Sequence, residues 1–474
     1  MVRMLDDRGW KLGLGFAVAA GSFCLLRPTL NIRGRNFFCK FVAVASEIPA
    51  IPLPRFLEKG KSIAERAKGK KVQVLVLGNG CAGAENQCMG LLRQLQIEAV
   101  GRYCVVPSFT RVVPSPLWRA VPSFLHIGIA GLNSSWTGIG LPNDAKNVNG
   151  MHLLSPPFPD IVIASGRTTA PACVALKRAS QGKTFTVQIQ DPVCWGGNLF
   201  SAVVTPAHDF PRLLKDLEGT SLNDGLGNEH RGTRRPEFPI VDSRGDCLSI
   251  QTVGSLHDVA EEELVAAWSK HGARLTSTIK GQIVAVLVGA PTKSCPWNAA
   301  DLIRALDHIL GALQGPRNGI GLAITLSRRS GPEVAQAVRR WAKKRGGNRA
   351  YLFDPNAPTG KEDNPYMALL AGAEVIAVTA DSVAMASEAA STSKPILTIG
   401  EHLCRGKIQR FHQLLRQVCG TLRAEELHAL GKAGPTADAG DALSHSRTGT
   451  LDDSAAVART IFPLAIAHLD PSLS

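Results

Sequence analysis

Twice along this chain, short apolar runs alternate with stretches of helical length, and that repetition constrains the fold more than any other feature. In the first half the runs are Val72–Leu77, Arg102–Val106, Ile161–Ala164, Thr184–Gln190, Ala202–Thr205 and a stretch around Ile250–Val253. Helices are read between them at Asn86–Gln96, Thr168–Ala179 and about 258–268. The second half restarts with Ile283–Val288, Gly321–Leu326, Tyr351–Phe353, Val375–Thr379 and Ile396–Ile399, with helices at Ala299–Leu313 and Pro332–Lys343 among them. Apolar strands separated by helices imply parallel sheets with right-handed crossovers. The expected fold class is therefore α/β, with two Rossmann-like domains facing a cleft. Residues 1–71 form a basic N-terminal segment, for targeting or without fixed structure, and 72–275 the first domain with irregular insertions. Residues 276–430 form a second, nucleotide-binding domain, and 431–474 a mobile linker and closing helix. The tracts 108–157 and 211–247 lose periodicity and collect turn-forming residues, as insertions do.

Composition narrows the partners. The chain of 474 residues is 45% apolar and 19% charged, with a net charge of +14. Residues 1–71 alone hold 14 Lys and Arg against 5 Asp and Glu, which leaves an excess of only five over the other 403 residues. Nothing downstream interleaves basic and aromatic residues, so no nucleic-acid partner is expected. The eleven cysteines show no CxxC pair and no Cys/His cluster at zinc spacing, so no metal is expected, and reduced, mostly buried thiols are. The uncharged run at 12–26 falls short of the roughly twenty residues a membrane span needs. It fits a signal-peptide core without a clean cleavage site, part of an organelle transit segment, a membrane-contacting tail within residues 1–40, or a mis-assigned start.

The segment 364–395, NPYMALLAGAEVIAVTADSVAMASEAASTSKP, carries the sharpest chemistry. A strand emptying into a helix at Asp381-Ser382 presents free amides and a positive dipole end to an anion. Glu388, further along that helix, could accept hydrogen bonds from a ribose diol. The small-residue loop Thr292-Lys293-Ser294 and the cations of Ser327-Arg328-Arg329 each follow a strand and would converge on the same mouth, where a diphosphate would sit. In the first half, Gly78-Asn79-Gly80-Cys81-Ala82-Gly83 fits the dinucleotide fingerprint, but the second strand ends without the acid that would hold a ribose. The glycines then serve tight turning alone. Glu85, Asn86 and Gln87 cap the following helix or line the cleft. Arg167 and Gln190 continue a polar rim at strand ends, Arg167 either binding an acidic group or pairing with a neighbouring carboxylate. His208 beside Asp209 has the residue types of a general base and its orienter, although adjacent residues seldom bond in that fashion.

These motifs, in this order, resemble the plant mitochondrial fission protein family of the elongated-mitochondria type and its bacterial relatives, which look like GT-B nucleotide-sugar glycosyltransferases. The matching pieces are Leu77-Gly78-Asn79-Gly80 with Gly83 and Glu85-Asn86-Gln87, Ser165-Gly166-Arg167, Val187-Gln188-Ile189-Gln190, Val204-Thr205-Pro206 with His208-Asp209, Asn364-Pro365-Tyr366, Val378–Val383, and Ser387-Glu388-Ala389 with Lys394-Pro395. Cys81-Ala82-Gly83-Ala84, Ala207 and Ser393 depart from the family's pattern. The resemblance implies a factor at the cytosolic face of the mitochondrial outer membrane that helps localise a dynamin-related GTPase for fission. The alternative is an active glycosyltransferase with a nucleotide diphosphate sugar as donor; no other cofactor is expected. In that case Glu388 holds the ribose, Asp381-Ser382 and Thr292–Ser294 hold the phosphates, and rim residues such as His208 face the acceptor.

Overall fold

The computed structural model describes residues 69–114, 154–192, 199–209, 238–244, 246–313, 319–357, 363–427 and 449–470, with positions 125, 127–128, 139–140 and 443 between them. The expectations for 1–68, for most of the first insertion, for 211–237 and for the tract 431–442 lie outside the described residues. Everything described belongs to one unit, Ile51–Ser474.

The first sheet begins with β1 (Lys70–Gly78), which leads into α1 (Ala82–Glu98) and then β2 (Tyr103–Arg111). Two short strands, β3 (Val113–Pro114) and β4 (Ile139–Gly140), pair separately as an antiparallel ribbon. The main sheet continues with β5 (Ile161–Ser165), α2 (Ala170–Ala179), β6 (Phe185–Ile189), β7 (Ala202–Pro206), β8 (Ile240–Arg244) and β9 (Cys247–Thr252). Its order is β2-β1-β5-β6-β7-β9-β8, parallel throughout except for the β8–β9 hairpin. Strand β1 is buried on both faces. Val74 and Val76 pack beneath α1, while Leu75 and Leu77 point to the core shared with α2. Strand β2 runs five residues past the expected end at Val106. Pro107 does not stop it, because β2 is the outer strand and its open side needs no amide.

The second sheet follows α3 (Glu261–Thr278). It comprises β10 (Gln282–Val288), α4 (Ala299–Ala312), β11 (Ile320–Leu326), α5 (Pro332–Trp341), β12 (Ala350–Phe353), α6 (Tyr366–Gly372), β13 (Val375–Thr379), α7 (Val383–Ser391), β14 (Ile396–Ile399), α8 (Lys407–Cys419) and β15 (Leu422–Arg423). All six strands are parallel in the order β12-β11-β10-β13-β14-β15. In chain order that is 3-2-1-4-5-6, the arrangement of dinucleotide-binding folds. Val284, Val286 and Val288 face α4 and α5, whereas Ile283, Ala285 and Leu287 face α3, α6, α7 and α8. Burial on both faces explains why these strands read as unbroken apolar runs. Helix α4 starts where it does because Asn298 accepts the amides of Ala300 and Asp301 at 2.8 and 3.1 Å, and Asp301 accepts the Asn298 amide at 2.9 Å.

The final helix, α9 (Asp453–Leu469), returns to the first sheet, where Val457, Ala458, Ile461 and Phe462 share a core with Leu91 and Leu95 of α1. Its first turn grips the connection between the sheets. Asp453 accepts the Gly254 amide at 2.7 Å, and Ser454 accepts the His257 amide at 2.9 Å. From the other side, Ser387 of α7 accepts the Ser255 amide at 3.0 Å. Two Rossmann-like units strapped by a returning helix make a GT-B-like architecture.

Candidate functional site

Ligands of open α/β sheets bind beyond the carboxyl ends of the strands, where neighbouring strands send their connections to opposite faces. That point lies between β10 and β13 in the second sheet and between β1 and β5 in the first.

At the second sheet the loops after β10, β11 and β13 meet, as the sequence suggests. Ser330 donates to the carbonyls of Val288 and Gly289 at 3.1 and 2.5 Å, and the Ser327 amide donates to Val288 at 2.8 Å, which ties the Ser327-Arg328 loop to the end of β10. Asp381 reaches across from the end of β13. Its carboxylate accepts the Ala290 amide at 2.8 Å and the indole N–H of Trp297 at 2.7 Å. A Cβ on Gly289 would lie 2.3 Å from Asp381 Oδ2, so any residue other than glycine there would displace that carboxylate. Burial pushes the Asp381 carboxyl above its ordinary range, partly offset by these donors. Ser382 caps α7, accepting the Met385 amide at 3.4 Å. Thr292, Lys293, Ser294 and Arg328 are exposed on their loops, Ser327 half so. Glu388 is turned to Tyr366, whose hydroxyl donates to it. Burial lifts the Glu388 carboxyl to about 7 against the pull of that bond.

The first crevice has the same plan with different residues. Glu85 is buried at 5% exposure and accepts the Gly80 amide at 2.7 Å. Arg111 grips both its oxygens, Nε at 2.9 Å and the second nitrogen at 3.0 Å. A Cβ on Gly78 would come within 2.6 Å of Glu85 Oε1. Glu85 thus neither caps α1, whose N-cap is Cys81, nor opens to a cleft; it locks the turn. Arg111, a cation, stands at the end of the second strand, where a dinucleotide fold needs its ribose acid. Gln87 donates to the Gly83 carbonyl at 3.3 Å, and Asn86 and Gly83 are exposed. Asn79 reaches the Ser165 carbonyl at 3.5 Å, and Gln188 donates to the Gly166 carbonyl at 3.0 Å. The loops carrying Gly80, Arg167 and Gln190 are therefore contiguous. Arg167 is exposed, and Gln190, also exposed, holds a left-handed φ of 66°.

His208 stands apart from both crevices. It is 3% exposed, its ring packs edge-on to Phe411 at 5.3 Å, and its carbonyl accepts two bonds from Arg410 of α8 at 3.1 and 2.9 Å. Burial lowers its pKa to about 4, so the ring is neutral at neutral pH. Its place is a join between the two sheets' elements. Sequence reasoning missed Arg111, hidden beyond Pro107, and Trp297, whose signal was a lone tryptophan between a loop and a helix cap. It also missed the link between Cys295 and Cys404, joined as a disulfide across the loops after β10 and β14. The expectation of reduced thiols is corrected for that pair; a separation of 109 residues gave no hint of it.

Residues 82–463 match the family described as "Mitochondrial fission ELM1". The chain belongs to that family. Mitochondrial fission protein ELM1 of Arabidopsis thaliana is 28% identical over 409 residues, covering 77% of this chain and 86% of that protein. Among solved structures, a glycosyltransferase from Rickettsia africae is 11% identical with a TM-score of 0.42, over 84% of this chain and 99% of its own. A putative UDP-N-acetylglucosamine 2-epimerase from Listeria monocytogenes is 12% identical with a TM-score of 0.42, over 85% and 97%. Among the described residues, no helix is long and apolar enough to cross a membrane.

Proposed function

We propose that this ELM1-family member is a mitochondrial fission factor, in which a GT-B-like scaffold helps localise a dynamin-related GTPase at the cytosolic face of the outer membrane. One observation carries the scaffold reading. In both sheets the glycine at the end of the first strand, which in a dinucleotide fold makes the tight turn into the phosphate-binding loop, is approached by the chain's own carboxylate: Glu85 at Gly78 and Asp381 at Gly289. Each carboxylate also takes a loop amide that a phosphate oxygen would use, from Gly80 and Ala290. Deleting the gene is expected to lengthen mitochondria and leave the GTPase cytosolic, and the Glu388→Ala chain is expected to restore both. Unchanged mitochondria in the deletion strain sink the proposal.

A second reading, a nucleotide-sugar glycosyltransferase, is favoured by the exposed Lys293, Arg328 and Arg329 on loops of one sheet edge. Glu388 would then hold the ribose, and the Thr292–Ser294 and Asp381-Ser382 loops the diphosphate. Calorimetry with uridine, adenosine and guanosine diphosphates separates the readings. Binding that Glu388→Ala abolishes, joined to failed rescue by the same folded variant, selects the enzyme; absence of binding leaves the scaffold.

A further inference from the structure

The strands of the second sheet have a foot as well as a mouth, and the foot is basic. Helix α5 runs down from the mouth and ends in a π-turn, Ala342–Gly346, before β12 begins. Arg340, Lys343, Lys344 and Arg345 are all exposed there. Register sets the starts of β10, β11 and β12 side by side, so exposed Lys280 at the start of β10 and Arg349 before β12 share this end. The opposing acids are few. Asp307 of α4 is 3.9 Å from Arg345 Nε and already accepts the Trp341 indole at 2.8 Å. Glu374 is exposed at the foot of β13, on the far side of β10. Among the described residues, Arg340, Lys343, Lys344 and Lys280 make no ion pair.

The kind of partner follows from what accompanies the charge. Trp341, the aromatic residue in this stretch, is 4% exposed and points inward, so among the described residues this foot offers no stacking platform for nucleic-acid bases. The cations stand on a reversal between helix and strand, and the described residues of this turn offer no exposed apolar side chain to select a peptide. Lys343 and Lys344, with Arg345 held only loosely by Asp307 at 3.9 Å, put three flexible cations on one turn, which suits a plane of negative headgroups. We propose that this foot is a docking surface for anionic phospholipid, centred on Lys343, Lys344 and Arg345. The mouths of the strands then lie about 20 Å from the bilayer, at roughly 3.3 Å per residue along β10.

Vesicle sedimentation of the full chain tests it, comparing vesicles of phosphatidylcholine alone with vesicles that also contain phosphatidylserine. Each cation near an anionic surface contributes about 1 kcal/mol, or about fivefold in binding. The chain carrying Lys343→Gln, Lys344→Gln and Arg345→Gln is therefore expected to bind the anionic vesicles about 100-fold more weakly, and added salt to weaken the wild type. The N-terminal excess of charge could produce the same attraction, so a chain with Lys59→Gln, Lys61→Gln and Lys68→Gln is measured beside it. Thermal unfolding checks the triple variant, and Lys344→Glu alone, at one exposed position, stands in if it misfolds. Three results overturn the proposal: loss confined to the N-terminal variant, equal binding to neutral vesicles, or loss of homopolymer RNA binding with vesicle binding intact.

Discussion

The two crevices hold a carboxylate at the same place and compensate it in opposite ways. Glu85 faces a guanidinium that grips both oxygens, with a loop amide in addition. Asp381 meets neutral donors, among them the Ala290 amide, the Trp297 indole and the Thr379 hydroxyl, and burial has raised its pKa. The first crevice is closed by an internal ion pair. The second keeps a net negative group beside loops bearing exposed Lys293, Arg328 and Arg329. One fold position can thus be sealed by charge neutralisation or left electrostatically active, depending on the residue that reaches into it. The second crevice is accordingly where any remaining ligand chemistry should be sought.

The sharpest break in that contrast comes from Arg111→Leu. Removing one partner of a buried pair strands the other charge, which destabilises by about 3–5 kcal/mol. Denaturant unfolding should show that loss, and Glu85→Gln in the same chain should recover part of it. A loss below about 1 kcal/mol would mean that Glu85 is not sealed at all. Trp297→Phe asks the matching question of the second crevice. It deletes one neutral donor to a buried carboxylate, for about 2 kcal/mol. If it proves as damaging as Arg111→Leu, the two crevices are compensated alike.

Glu388 extends the comparison to pH. Its carboxyl lies at about 7 in the folded chain against an ordinary 4.5. The folded protein keeps this proton over an interval in which the unfolded chain has lost it. Stability is therefore fully present below 4.5 and declines as pH rises through about 7. Asp453, raised to about 7 by burial, acts in the same direction. Glu388→Gln should remove part of the decline and raise stability above neutral pH by on the order of 2 kcal/mol, while leaving acid stability unchanged. Unfolding midpoints measured across that interval check it. An unaltered slope would show that Glu388 is well solvated, as a ribose-binding carboxylate in an open mouth would be.

The parallel strands were legible because burial on both faces leaves an unbroken apolar run, as at Val74–Leu77 and Ile283–Val288. The loops of the second mouth were legible too, since strand ends followed by Gly289, Ser327 and Asp381 must share one edge of a parallel sheet. The partners of the polar groups were not. That Asp381 meets Trp297, and Glu85 meets Arg111, depends on three-dimensional approach across 84 and 26 residues, which no local spacing encodes. His208 shows the same limit. Its neighbour Asp209 stands 4.0 Å from the ring, but the edge-on packing against Phe411, two hundred positions on, was not readable from the local sequence.

The smallest effect expected is also the one that reports most directly on the first crevice. Gln190 sits in left-handed backbone at φ 66° at the end of β6. For a residue with a Cβ that conformation costs about 1–2 kcal/mol. Both its backbone groups are in use, the amide donating to Val204 at 2.7 Å and the carbonyl accepting from Gln188 at 3.4 Å, so glycine would keep them. Glycine also enlarges the unfolded ensemble, which offsets about 0.5–1 kcal/mol of the relief. Gln190→Gly should therefore stabilise by roughly 0.5 kcal/mol, a rise in Tm of a degree or two for a chain of this size. Strain kept at an exposed rim position commonly serves function. If the first crevice is closed, the stabilised variant rescues fission fully; a gain in Tm with impaired rescue would show that the Gln190 side chain is used there, and that the ion pair behind it does not seal the crevice.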